Sequence, residues 1–284
     1  MNSRREFLKH AGLGAAALTT LGTAGCVATV TSAAPASPAG AAIKLGMASY
    51  TLRKFDLERT LAMVERLGLQ RMVFKDAHLA LNSTDAQIKQ AMAKAQAKGI
   101  EVYGCGTIYM KNAAEVEQAI HYAQTAGMKI IIGAPNVDLL PLVEQHVKAT
   151  NIRLAIHNHG PDNPLYSSPL DAYALIKDRD PRMGLCLDIG HTQRFGLDPV
   201  AVFKTTFNRI YDVHIKDVSA SSKAGKTVEI GRGVIDMTGF LKTVVALNYA
   251  YTLDFEHEKD SDDPLPGVAE SIGYVRGALK NLTA

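Results

Sequence analysis

The sequence is short of the features that mark a nucleic-acid or membrane protein. Its 31 basic and 28 acidic residues leave a net charge of only +3. No basic cluster interleaves with aromatics, so nothing suggests a polyanionic partner. Beyond about the first 25 residues, no apolar run approaches the roughly 18 needed to cross a bilayer. No GxGxxG opens the first helical stretch, which argues against a dinucleotide-binding fold. Cysteine is scarce: of three, only Cys105 and Cys186 lie in the body of the chain. They fall at or near the ends of the third and sixth strand-like runs, on roughly opposite walls if the sheet closes. Two buried thiols are therefore expected, not a disulfide.

What is present begins with a leader. Asn2-Ser-Arg-Arg-Glu-Phe-Leu-Lys9 carries the pair Arg4 and Arg5, followed by an apolar run from Ala11 to Gly25. This resembles a twin-arginine export signal, an address read by a receptor and kept out of the fold argument. Leu21-Gly-Thr-Ala-Gly-Cys26 looks like a bacterial lipobox, with Thr23 where an aliphatic residue is usual. Either Cys26 is lipidated, or cleavage falls in the Ala/Ser/Pro-rich segment that ends at Gly40. The expected organisation is an export signal and flexible tether over 1–41, then one catalytic domain over 42–284. The protein is expected to be periplasmic or otherwise exported, touching the membrane only through a lipid on Cys26.

From Ile43 onward, short apolar runs alternate with amphipathic stretches. Strand-like runs begin near Ile43, Arg71, Ile100, Lys129, Ile152, Met183, Ile210 and Tyr251. Helical stretches are expected over Leu57–Gly68, Thr84–Lys98, Ala113–Ala126, Leu139–Ala149, Leu170–Lys177, Pro199–Phe207 and Met237–Leu247. Eight strand-like runs alternating with these helices predict an α/β fold, a (β/α)₈ TIM barrel of one domain.

Four of the runs end in metal-competent side chains. Met183-Gly-Leu-Cys-Leu-Asp188 runs apolar residues into a carboxylate, with His191 three positions on. A buried aspartate commonly caps a helix or turn, and that reading stands beside a ligand role. Ile152-Arg-Leu-Ala-Ile-His157 continues to His159; Ile210-Tyr-Asp-Val-His214 continues to Asp217; Tyr251-Thr-Leu-Asp-Phe-Glu256 continues to Glu258. In a barrel, strand C-termini converge on one mouth, so His157, Asp188, His214 and Glu256 can meet around one ion. Alternation places His157 with His159, and Asp254 with Glu256 and Glu258. Two imidazoles and two carboxylates suit Mn²⁺, Zn²⁺, Co²⁺ or Fe²⁺ better than the oxygen-seeking Mg²⁺ or Ca²⁺.

Leu154-Ala-Ile-His-Asn-His-Gly160, Gly184-Leu-Cys-Leu-Asp-Ile-Gly-His-Thr192, Asp212-Val-His-Ile-Lys-Asp217 and Leu253-Asp-Phe-Glu-His-Glu258, in this order, resemble the sugar phosphate isomerase/epimerase family of xylose-isomerase-like barrels. The likeness runs from about Ile43 to Leu282. It implies a divalent metal on Asp188, His214 and Glu256, with His191 and Arg232 of Gly231-Arg-Gly233 near a carbohydrate substrate. The family's first glutamate is here His157, which removes one of two carboxylate acid/bases. His159, His191 and Lys75 are the available replacements, and His78 of the same second-strand segment is a further substrate contact. Lys75 follows three apolar residues, where loss of water favours the neutral amine. The resemblance therefore implies proton abstraction beside a carbonyl, with isomerisation, epimerisation, or elimination from a keto-glycoside as outcomes. A metal-dependent phosphodiesterase or a lipid-anchored sugar-binding protein are the other classes. The Gly-rich loop Glu229–Asp236 is expected to form a wall against sugar.

Overall fold

The computed structural model describes residues 43–283; Arg4, Arg5, Cys26 and the whole tether lie outside the described residues. Strands β1 (Lys44–Ala48), β2 (Arg71–Phe74), β3 (Glu101–Met110), β4 (Ile130–Pro135), β5 (Arg153–His157), β6 (Met183–Asp188) and β7 (Ile210–Ile215) run parallel, each beside its sequence neighbour. A short antiparallel pair, β8 (Asp217–Val218) and β9 (Thr227–Val228), follows β7. Strand β10 (Thr252–Phe255) then pairs with both β7 and β1 and closes the barrel. The expected (β/α)₈ fold is the observed one.

Helices α1 (Leu57–Arg66), α2 (Asp85–Ala97), α3 (Ala113–Ala126), α4 (Leu140–Thr150), α5 (Pro169–Ile176), α7 (Pro199–Thr206) and α8 (Met237–Ala246) form the outer ring. Their starts are written in the sequence. Asp56, Asn112 and Asp198 accept backbone N–H groups at the N-caps of α1, α3 and α7. Thr84 and Gln87 close a reciprocal capping box on α2. Two helices were not anticipated. One is the short α6 (Ile189–Arg194) directly after β6; the other is α9 (Leu265–Thr283) after the last barrel strand. Val268, Ile272 and Val275 bury one stripe of α9 against the barrel.

Strand alternation sorts the side chains into two layers. Leu154, Ile156, Leu185, Leu187, Val213, Leu253 and Phe255 pack outward with the helices. Val73, Tyr103, Ile130, Ile132, Ala155 and Cys186 form a second cluster on the opposite, inner faces, joined by Tyr211 where the β6–β7 register shifts by one residue. His157, Asp188, His214 and Glu256 follow those inner positions upward, at or just past the ends of their strands. Cys105 and Cys186 are both buried and unpaired.

Candidate functional site

Asp188 shows how the local sequence builds the site. It is the last residue of β6 and the N-cap of α6, so its Oδ1 accepts the His191 N–H at 2.7 Å. Oδ2 is left facing the barrel mouth, fully buried, accepting no hydrogen bond of good geometry. The capping role and a ligand role are thus carried by different oxygens of one carboxylate. Asn158 locks this corner: its side chain accepts the Asp188 N–H at 2.9 Å and donates to the Asp188 carbonyl at 3.1 Å.

Around Asp188 Oδ2 the strand ends bring together three more donors. His157 Nε2 lies 3.5 Å from it and 3.1 Å from His214 Nδ1, and His214 Nδ1 lies 3.1 Å from Glu256 Oε2. One ligand atom from each of the four falls within 4.8 Å of every other. Ligands about 2.1 Å from a central ion stand roughly 3.4 Å apart at the edges of a tetrahedron. The set matches that spacing closely enough to hold a divalent cation. Burial pushes the His157 pKa down to about 4, which leaves a neutral imidazole at pH 7. Burial also opposes charge on His214, but the adjacent Cys186 sulfur and Glu256 carboxylate outweigh it and raise the pKa well above the usual range. Without a metal, a proton on His214 Nδ1 sits where cationic charge is wanted.

Charge balance points the same way. Lys216, 2% exposed, follows β7 and places Nζ 2.9 Å from Asp188 Oδ2, 2.6 Å from Glu256 Oε2 and 2.9 Å from Glu258 Oε2. Burial opposes the ammonium, yet Asp188, Glu256 and Glu258 raise its pKa well above the ordinary lysine value. With His214 neutral, as a ligand must be, three carboxylates against one ammonium leave two negative charges at the site, the deficit a divalent cation fills. The Lys216 stem runs against Gly190, where a Cβ would overlap its Cγ. That close approach explains the glycine between Asp188 and His191.

Above the cluster opens a cavity of about 200 Å³ lined by Tyr50, Lys75, Thr107, Tyr109, His157, His159, His191, Glu256 and Glu258. His159 Nε2 meets the Tyr109 hydroxyl at 2.7 Å, while its Nδ1 has no partner. Burial pushes its pKa down to about 3, so it stands neutral at pH 7. His191 Nε2 lies 3.8 Å from Asp188 Oδ2. Lys75 donates to the Thr107 carbonyl at 2.7 Å and lies 3.5 Å from Asp76. His157, His159, His191, Glu256 and Lys75 therefore share one cavity, with Asp188 and His214 beneath it.

Two expected substrate contacts are corrected. His78 is buried away from this cavity, with Nδ1 on Ser49 Oγ at 2.9 Å and Nε2 on the Leu52 carbonyl at 3.1 Å. Both ring nitrogens are committed to anchoring the turn after β1. Arg232 points to solvent and forms a two-pronged pair with Glu270 of α9 at 2.6 and 2.7 Å. The Gly-rich loop that carries it does not line this cavity and wraps a buried carboxylate instead. Asp217 accepts the backbone N–H groups of Val218, Gly231, Gly233 and Ile235 at 2.9–3.2 Å. Asp217→Ala is expected to cost about 2–4 kcal/mol by orphaning those donors. A urea-unfolding midpoint equal to wild type would refute this role. Asp254, on the same strand face as Glu256, is not part of the cluster. It lies deeper in the barrel, hydrogen-bonded by the Tyr103 hydroxyl beside Asp212, and burial pushes its carboxyl well above the usual range.

Lys216, Tyr109 and Thr107 were not singled out from the sequence. Lys216 had a usable signal: a lysine placed between a ligand histidine and a buried aspartate at a strand end has little access to water. Tyr109 had none, since its place depends on how far β3 extends.

A family model described as "Xylose isomerase-like TIM barrel" matches residues 48–278. No curated protein matches. Among solved structures, an L-ribulose 3-epimerase is 18% identical, with TM-score 0.69 over 85% of this chain and 96% of that one. A xylose isomerase domain protein from Planctomyces limnophilus is 16% identical, with TM-score 0.67 over 84% and 98%. A probable 3-DHS dehydratase of petrobactin synthesis from Bacillus anthracis is 13% identical, with TM-score 0.66 over 82% and 99%. At these identities the structures show a shared fold. The family match spans most of the chain, and the protein belongs to the xylose isomerase-like TIM barrels.

Proposed function

We propose that the protein is a divalent-metal-dependent carbohydrate enzyme that removes a proton beside a carbonyl and eliminates the aglycone from a keto-glycoside. The observation that carries this reading is what lines the cavity: its two carboxylates are committed, Glu256 to the ligand set and both to Lys216, which leaves the imidazoles of His159 and His191 for proton transfer. Epimerisation needs matched proton transfer on both faces of one carbon. Elimination needs one base and one proton donor for the leaving oxygen. A metal bound by His157, Asp188, His214 and Glu256 would polarise the carbonyl and steady the negative charge that develops on its oxygen. A base at the cavity wall takes the proton next to the carbonyl, the electron pair becomes a C=C bond, and the anomeric C–O bond breaks. His159, which lines the cavity and is neutral at pH 7, is assigned the base role. His191 can return a proton to the departing oxygen, and Tyr109 holds the His159 ring in place. A fold shared with a dehydratase is consistent with elimination, and one shared with an epimerase keeps ketose epimerisation as the alternative.

The test incubates metal-loaded protein in D₂O with a keto-glycoside and, separately, with free ketoses. Aglycone release with an unsaturated keto-sugar is expected from the first, and little deuterium uptake in the second. Rapid deuteration of free ketoses without glycoside cleavage would reverse the order. Activity that survives complete metal removal would sink the metal-dependent reading altogether.

We also propose that the protein is exported. Replacing Arg4 and Arg5 together by lysine is expected to leave it in the cytoplasm, as judged by fractionation. Equal periplasmic amounts of variant and wild type would refute this, and the mass of the mature N-terminus decides lipidation of Cys26.

A further inference from the structure

Beside the metal-side cavity lies a second one, of about 230 Å³, that the chemistry above does not use. Its floor is made by Phe74, Leu79, Leu81, Cys105, Ile108 and Tyr122. Lys75, Thr107 and Tyr109 line both cavities and form the partition between them. The polar atoms along this floor are already committed. The Tyr122 hydroxyl donates to the Leu79 carbonyl at 3.0 Å, and the Lys75 ammonium to the Thr107 carbonyl at 2.7 Å. Burial pushes the Cys105 thiol up to about 12, so it stays a neutral, weakly polar wall. The Asp76 carboxylate stands at the mouth, 70% exposed. A guest entering here would meet more carbon than polar surface, with the Asp76 carboxylate and the Lys75 ammonium at its polar edge.

Size narrows the guest further. An apolar cavity of about 150 Å³ accepts benzene, so this one has room for a single six-membered ring with a small substituent. Position narrows it again. The shared partition means that one molecule can lie in both cavities, its hydroxyl-rich part against His159 and Glu256 and its flat apolar part against Leu79 and Leu81. A free ketose has no such second part.

We infer that the second cavity is an aglycone subsite, and that the substrate is a keto-glycoside whose leaving group carries one apolar, aromatic-sized ring. This rests on the keto-glycoside reading of the metal-side cavity. It goes beyond that reading by assigning the other half of the substrate and the residues that select it.

Binding of phenyl glucoside, methyl glucoside and free phenol to the full-length, metal-loaded protein tests the inference. These unoxidised probes separate recognition from turnover. Wild type is expected to bind phenyl glucoside about tenfold or more tighter than methyl glucoside, from burial of the ring. Leu81→Trp, which fills the floor from a partly buried loop position, is expected to bring the two within about twofold while leaving methyl glucoside binding unchanged. Ile108→Phe narrows the same cavity from β3 and is expected to act in the same direction. Metal content and melting temperature equal to wild type establish that each variant is folded. Equal affinity for both glucosides in wild type would overturn the subsite and leave the metal-side reading standing. A phenyl preference that persists in both plugged variants would overturn it too. Phenol that binds and is displaced by the Leu81→Trp change, with neither glucoside binding, would make the cavity a simple apolar pocket. That outcome overturns the aglycone assignment and counts against the keto-glycoside reading itself.

Discussion

Asp188→Asn is expected to lower divalent-metal affinity by about a hundredfold or more while leaving helix α6 in place. The two oxygens of Asp188 do different work. Oδ1 caps α6 through the His191 N–H, and an asparagine oxygen can accept that bond equally well. Oδ2 faces the cluster and Lys216, and burial opposes its charge, but His191 and Lys216 hold the carboxyl well below its usual range. The amide removes that charge without removing volume. Metal content by elemental analysis should be lost and the melting temperature in chelator lowered, because a carboxylate held below its usual range stabilises the fold, while helix content by circular dichroism stays at the wild-type value. Undiminished metal in the variant would sink the site. A companion measurement reads the proton that the metal replaces. His214 is held protonated at pH 7 by Glu256, so metal uptake is expected to release about one proton. Calorimetry in buffers of different ionisation enthalpy detects it, and buffer-independent heats would contradict the account of His214.

Lys216→Met is expected to destabilise the metal-free protein by about 3–5 kcal/mol, because it strands three carboxylates around a buried gap. Asp188, Glu256 and Glu258 each place an oxygen within 2.9 Å of the lysine nitrogen, and methionine offers them nothing. The same three oxygens form an all-carboxylate pocket of the kind hard divalent cations prefer. Excess Mn²⁺ should therefore restore most of the lost stability, with a second equivalent bound in the variant and one in wild type. Denaturant unfolding with and without Mn²⁺, together with stoichiometry from elemental analysis, checks both halves. Wild-type stability in chelator would show that Lys216 does not neutralise the cluster.

The barrel was legible because its periodicities are local. Runs such as Met183–Leu187 are apolar on both faces, as only a strand covered by helices outside and packed inside requires. The helix starts carry their own caps, so Asp56, Thr84, Asn112 and Asp198 announce α1, α2, α3 and α7 within a residue or two. Helix α6 was hidden because its signal is Asp188 itself, a residue that reads equally as cap or ligand. The Gly-rich loop was misread for a related reason. Glycines between Glu229 and Asp236 suit a sugar wall or a loop wrapped on a carboxylate, and its partner Asp217 stands 14 to 18 positions away from the donors it binds.

What this chain settles by sequence alone is the identity of the groups at the strand ends. Side-chain alternation and parallel closure carry His157, Asp188, His214 and Glu256 to one rim whatever the loops do. Tertiary structure alone decides which atoms of those groups are free and what stands beside them. Lys216 becomes the partner of three carboxylates only because β6, β7 and β10 pack side by side and Gly190 leaves room for its stem. His78 and Arg232 leave the site because Ser49, Leu52 and Glu270, distant in sequence, claim their nitrogens first. Hydrogen bonds and ion pairs of this kind form between residues 26 to 42 positions apart, and no local pattern records which pairings will win.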